Sequence, residues 1–149
     1  MTGHLAAQTG NCTTIDASTR PDCPGALKFF ARVQTAIRTD DRRTVAALVK
    51  YPVLKTLHHK RANIRGRKEL LSHFDQVFDA DIRCAILGAT EKDVWGNWRG
   101  FSIGDGAVWF DAIIPPGDTP DIHAPDYWTK YPFKIITVNN WDNHHCKHS

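Results

Sequence analysis

The chain has 149 residues, of which 42% are hydrophobic and 23% charged, with a formal net charge of +3. One domain of this size buries a core without a metal or disulfides to staple it. No apolar run approaches the roughly 20 residues that span a bilayer, and the mild charge falls short of a dedicated nucleic-acid binder.

Residues 1–23 are small and polar and read as an irregular arm. Cys12 and Cys23 fall in it, Cys84 in an apolar helical stretch and Cys146 in a polar tail. Four cysteines allow three pairings; Cys12–Cys23 is the preferred one, with Cys84–Cys146 following if the tail folds back. No basic n-region and apolar h-region open the sequence. With paired cysteines, that gives the expectation of a mature periplasmic or secreted protein.

Asp22-Cys23-Pro24 opens a helix, since Asp can cap and Pro is tolerated in the first turn. Leu27, Phe30, Val33 and Ile37 follow at helical spacing. Thr39-Asp40-Asp41 breaks and recaps the chain for a second helix with Val45, Leu48 and Val49 inward, and Tyr51-Pro52 is expected to stop it. Val53 to His58 reads as a strand, and Lys60 to Lys68 as a basic connector able to face a phosphate or an acidic surface. A third helix is expected from Arg67 to Phe78 and a fourth from Ile82 to Leu87.

Trp95 to Phe110 then spells an aromatic β-hairpin turning at Asp105-Gly106. That turn sets Ser102 opposite Trp109 and Gly100 opposite Asp111. Alternation then divides the strands into two faces. Phe101, Ile103, Val108, Phe110, Ala112 and Ile114 form an apolar core face. Trp98, Gly100, Ser102, Trp109, Asp111 and Ile113 form a mixed one. Trp98, Trp109 and Asp111 are the candidate ligand-binding residues, because a buried acid between indoles is what a small-molecule pocket offers. A desolvated Asp111 would also be the candidate acid/base. Pro115-Pro116-Gly117 begins a long loop, Phe133 to Val138 alternates as a last strand, and residues 140–149 form a tail. In that tail His144, His145, Cys146 and His148 are metal candidates, but their spacing matches no structural zinc site, so a flexible tail with incidental metal affinity is the expectation. No motif calls for a cofactor.

Helices grouped before a run of strands mark an α+β domain. Several segments also resemble a known group: Val49-Lys50-Tyr51-Pro52, Phe74-Asp75-Gln76-Val77-Phe78, Asn97-Trp98-Arg99-Gly100, Ile103-Gly104-Asp105-Gly106-Ala107-Val108-Trp109-Phe110 and Lys134-Ile135-Ile136-Thr137-Val138-Asn139. Over about residues 24–139 they look like small exported bacterial proteins of unassigned function with the NTF2-like, cystatin-related fold. The resemblance implies a cone, with N-terminal helices packed on a curved, mostly antiparallel sheet around a pocket. It also implies a homodimer. Members include isomerases and dehydratases that use a pocket Asp or His, and many binding or accessory proteins. None of their catalytic residues matches a position here. The expected function is therefore non-enzymatic recognition of a protein partner or small apolar ligand, an inhibitor or immunity role being one version. The alternative is an isomerase, dehydratase or hydrolase working through Asp111.

Overall fold

The apolar period of Leu27, Phe30, Val33 and Ile37 becomes helix α1 (Cys23–Arg38), in which Ala26, Phe29 and Ala36 join them in the core. The computed structural model describes residues 13–14, 22–57, 59–97, 99–119, 121 and 130–140. Asp22 precedes α1 but its side chain makes no cap hydrogen bond; the expected cap is not there. Pro24 does sit in the first turn, where its missing N–H has no intrahelical partner to lose.

Asp41 caps the short α2 (Arg42–Ala47), accepting from Thr44 N at 3.2 Å and from Thr44 Oγ1 at 2.7 Å. These bonds to the ionised form hold the Asp41 carboxyl below its ordinary value. Asp75 is likewise held down, first by Arg83 at 2.9 Å and then by Arg42 at 3.0 Å. Both folded pKa values lie below the unfolded 3.8. Their stabilisation is therefore complete above that value and is lost as pH falls through the folded ones. Thermal melts should show the midpoint dropping as pH is lowered through about 4. The double variant D41N/D75N should drop less steeply; an equally steep fall would assign the acid lability to other groups.

Strand β2 (Val49–Leu57) starts at Val49, so Tyr51-Pro52 lies inside a strand instead of stopping a helix. The Tyr51–Pro52 peptide is cis, and it falls where the pairing slips between Val49 and Leu54. Proline has no N–H to give a ladder, so a sheet tolerates it at such an irregularity. The expected basic connector is in its first half a strand, β3 (Lys60–Ile64), antiparallel to β2 with Leu57 opposite Lys60 and Val53 opposite Ile64. The single helix expected from Arg67 to Phe78 is two, α3 (Arg67–Ser72) and α4 (Phe74–Val77), broken at His73. Helix α5 (Ala80–Gly88) follows, capped by Asp79 Oδ1 accepting from Ile82 N at 2.9 Å. Gln34 of α1 donates to the Ile86 and Ala89 carbonyls at the end of α5, at 3.0 and 2.9 Å. These bonds tie the end of α5 to α1.

Strands β4 (Val94–Asn97), β5 (Gly100–Ile103), β6 (Val108–Ala112) and β7 (Phe133–Asn140) form an antiparallel meander. The stretch from Trp95 to Phe110 is thus parts of three strands and not one hairpin. Its β5–β6 register is the expected one, Ser102 opposite Trp109. The turn is longer than two residues, running from Gly104 to Ala107, with positive φ at Gly104 and Gly106. Gly100 is required where it is: φ is +133°, and a Cβ there would lie 2.8 Å from the Phe110 carbonyl oxygen.

β7 returns to the middle of the sheet and pairs parallel with β2, while a two-residue β1 (Thr13–Thr14) pairs parallel with β4. The sheet order is β1-β4-β5-β6-β7-β2-β3, a mixed sheet in an α+β protein. The core lies between its inner face and the helices. Phe29 of α1 reaches Phe110 with ring centroids 4.9 Å apart, and Phe101 and Phe133 close the cluster. The predicted apolar face holds for Phe101, Ile103, Val108 and Phe110, all fully buried. Ile114 is exposed, because β6 ends at Ala112 and the face stops with it.

Among the described residues no helix is long and apolar enough to cross a membrane. Cys23 and Cys84 are each disulfide-bonded. Cys12 and Cys146, and with them the preferred pairing, lie outside the described residues.

Candidate functional site

A cavity of about 470 Å³ opens between the β2–β3 hairpin and the α3–α4 pair. Period-two alternation builds its floor. Lys55 and Leu57 of β2, with Lys60, Ala62 and Ile64 of β3, lie on one side of the hairpin and line the cavity. The facing wall is Glu69 and His73 at the end of α3, with Gln76 and Val77 of α4. The break at His73 turns the chain so that both short helices reach the hairpin.

Lys55 is the unusual residue in this lining. It is 5% exposed, on a strand whose inward neighbour Val53 is apolar. Its Nζ donates to the Val77 carbonyl at 2.7 Å, using an acceptor that the end of α4 leaves open. Asp79 Oδ2 is 3.7 Å away, and the same oxygen accepts from Asn140 Nδ2 at 2.7 Å. One ammonium therefore joins β2, the end of α4 and the cap of α5, and Asp79 links these on to the last residue of β7. Burial pushes the Lys55 pKa down, and the Asp79 charge and hydrogen bond only partly oppose it.

The rest of the lining is an apolar strip with cations around it. Leu57, Ala62, Ile64 and Val77 supply the apolar surface, and Lys60 and Arg61 are exposed at the rim. Among the described lining residues Glu69 is the one acid, and its Oε1 accepts from the Arg65 backbone N–H at 2.8 Å. The volume falls in the range of small-molecule sites, roughly 300–1,000 Å³, and the mix of apolar wall and few polar groups is theirs too.

The residues singled out from the sequence lie elsewhere. Trp109 is half-buried and meets Trp95 edge to face at 5.2 Å, with Ser102 between them in the ladder. Trp98, the expected partner, lies outside the described residues. Asp111 is half-buried opposite Lys134, and its Oδ1 accepts from Ala112 N at 2.9 Å. Lys134 itself donates to the Ala47 carbonyl at the end of α2. Trp109 and Asp111 thus share a face of β6, and neither lines the hairpin cavity. His144, His145, Cys146 and His148 lie outside the described residues. Among those described, no group of three or more His, Cys, Asp or Glu is placed to hold a metal ion.

Lys55 and Lys60 were legible only as a lysine in an apolar alternation and a basic run after it. The signal that finds the cavity is the matched alternation Val53-x-Lys55-x-Leu57 and Lys60-x-Ala62-x-Ile64, an antiparallel pair with two lysines on its cavity side.

Fold and site define an α+β protein whose helices and edge hairpin enclose a cation-rimmed apolar cavity. No family model matches the chain, and neither the curated proteins nor the solved structures hold a match to it.

Proposed function

We propose that this protein is a non-enzymatic binding protein that takes a small, largely apolar ligand into the cavity between β2–β3 and α3–α4. The carrying observation is the cavity itself: an apolar strip of Leu57, Ala62, Ile64 and Val77, with Lys55 buried beside it in the floor and Lys60 and Arg61 exposed at the rim. Two of its polar groups, Lys55 and Glu69, are engaged in holding structure. Lys55 ties β2 to Val77 and Asp79, and Glu69 is bonded to the Arg65 backbone. An NTF2-like cone is the architecture we assign to the framework. Two helices ahead of β2, α1 against the inner sheet face and a mostly antiparallel sheet support that assignment. An exported location is part of the same reading, supported by the disulfide-bonded state of Cys23 and Cys84.

Titration with the neutral dye Nile red tests the reading. Saturable enhancement of its fluorescence is expected, at one site per chain. Ala62 is exposed to the cavity on an edge strand, so Ala62→Trp should fill the space while leaving the thermal midpoint unchanged. That variant should bind the dye at least ~10-fold more weakly, the loss of roughly 1.4 kcal/mol of contact. Dye binding that never saturates, or that ignores Ala62→Trp, overturns the assignment.

A further inference from the structure

The charges around the cavity are unequal. Among the described lining residues Lys55, Lys60 and Arg61 face one acid, Glu69, which already accepts a backbone hydrogen bond at 2.8 Å, and Asp79 behind the lining offsets only Lys55, at 3.7 Å. Register brings two of the cations close to each other. Lys55 pairs with Ala62 and Leu57 with Lys60, so Lys55 and Lys60 are diagonal neighbours on the same side of an antiparallel pair. Such positions are about 7–8 Å apart at the backbone, within reach of long side chains. An ammonium carries three N–H donors. The Val77 carbonyl takes one from Lys55, while the Asp79 carboxylate stands 3.7 Å away as an ion pair, so Lys55 keeps donor capacity for a ligand. Beyond the two lysines the lining turns apolar, through Ala62 and Ile64 to Val77.

We propose that the ligand of this cavity is an anionic amphiphile, a carboxylate on an aliphatic body. Its head sits between Lys55 and Lys60, and its tail lies along Ala62 and Ile64 against Val77. The inference rests on the cavity being the binding site and adds the ligand's chemical class. A carboxylate there makes charge-assisted hydrogen bonds that a neutral alcohol of the same length does not. The tail contributes burial to both alike. Charge therefore decides between the two ligands, and length does not.

The experiment is displacement of bound Nile red by octanoate and by octanol, in the full chain and in Lys60→Glu. Lys60 is exposed on an edge strand, so the reversal of charge leaves the core untouched. Octanoate should displace the dye at a concentration at least ~10-fold below that needed with octanol, the scale of one charge-assisted hydrogen bond. Lys60→Glu should weaken octanoate by about the same factor and leave octanol where it was. Octanol matching octanoate, or both weakening together in Lys60→Glu, overturns the anionic class while the cavity stands. The same holds if neither displaces a dye that Ala62→Trp does exclude. No saturable dye binding at all overturns the cavity reading and this one with it.

Discussion

Phe110→Ala should remove about 3–5 kcal/mol of folding stability, the range for emptying a fully buried phenylalanine site. Phe110 has no exposed surface, and three other rings close on it: Phe29 at 4.9 Å, Phe101 at 5.7 Å and Phe133 at 5.8 Å. The four rings come from α1, β5, β6 and β7, so the cavity left behind has rigid walls on every side and little freedom to collapse. A domain of this size commands only about 5–15 kcal/mol in all. The variant should therefore unfold in urea at a much lower midpoint with an unchanged slope, the mark of lost stability in an intact cooperative unit. Phe110→Leu, which keeps most of the volume, should cost less than half as much. The neighbouring Trp109 is the control, because it is larger yet half-buried and lies on the opposite face. If Trp109→Ala proves costlier than Phe110→Ala, the assignment of faces in β6 is wrong.

That face assignment is also where the sequence is most readable. Glycines at positive φ fix the β5–β6 turn, and a fixed turn with period-two alternation leaves one register that buries Phe101, Ile103, Val108 and Phe110 together. Helix α1 is readable for the same reason, since its apolar residues repeat with the helical period. β3 is not, because Lys60-Arg61-Ala62-Asn63-Ile64 is an edge strand whose first four residues are all exposed. Charge on an edge protects it from pairing with other chains, and the same charge makes it look like a loop. Tyr51-Pro52 misleads in the other direction: proline commonly ends a segment, and here the sheet slips around it instead. The cavity is hidden more deeply. Lys55, Val77, Asp79 and Asn140 are scattered over the chain, and only the parallel return of β7 beside β2 brings Asn140 to Asp79. Local pattern marks position 55 as inward. It carries no sign that a helix end and a cap wait there for an ammonium.

Replacing Lys55 separates its charge from its stem. Lys55→Ala should cost about 2–3 kcal/mol, at or just below the roughly 3–5 kcal/mol of breaking a fully buried charge pair. The cost stays low because Asp79 is partly solvated and keeps Asn140 and the Ile82 N–H as partners. What is lost is the partner of the Val77 carbonyl and the packing of four methylenes. Lys55→Met keeps most of that packing and removes an ammonium whose burial is itself unfavourable, but it still strips the Val77 carbonyl of its partner, so it should cost about 1–2 kcal/mol, less than Lys55→Ala. The two variants should also differ from wild type in how stability changes with pH. The Lys55 pKa in the folded protein lies below the ordinary 10.5. Between the two values the unfolded chain binds the extra proton, so wild-type stability gains from Lys55 as pH rises through the folded value toward 10.5. Below the folded value the full cost of the buried charge is present. Tyr51 works against this at the top of the range, since burial raises its phenol above 10.0 and its contribution is lost as it ionises. The clean quantity is the difference between wild type and Lys55→Met, which retains Tyr51 in both. Urea unfolding across the alkaline range should show wild type gaining on Lys55→Met as pH rises. A difference that stays constant with pH would mean that Lys55 carries no burial penalty, and that its ammonium is solvated through the open cavity.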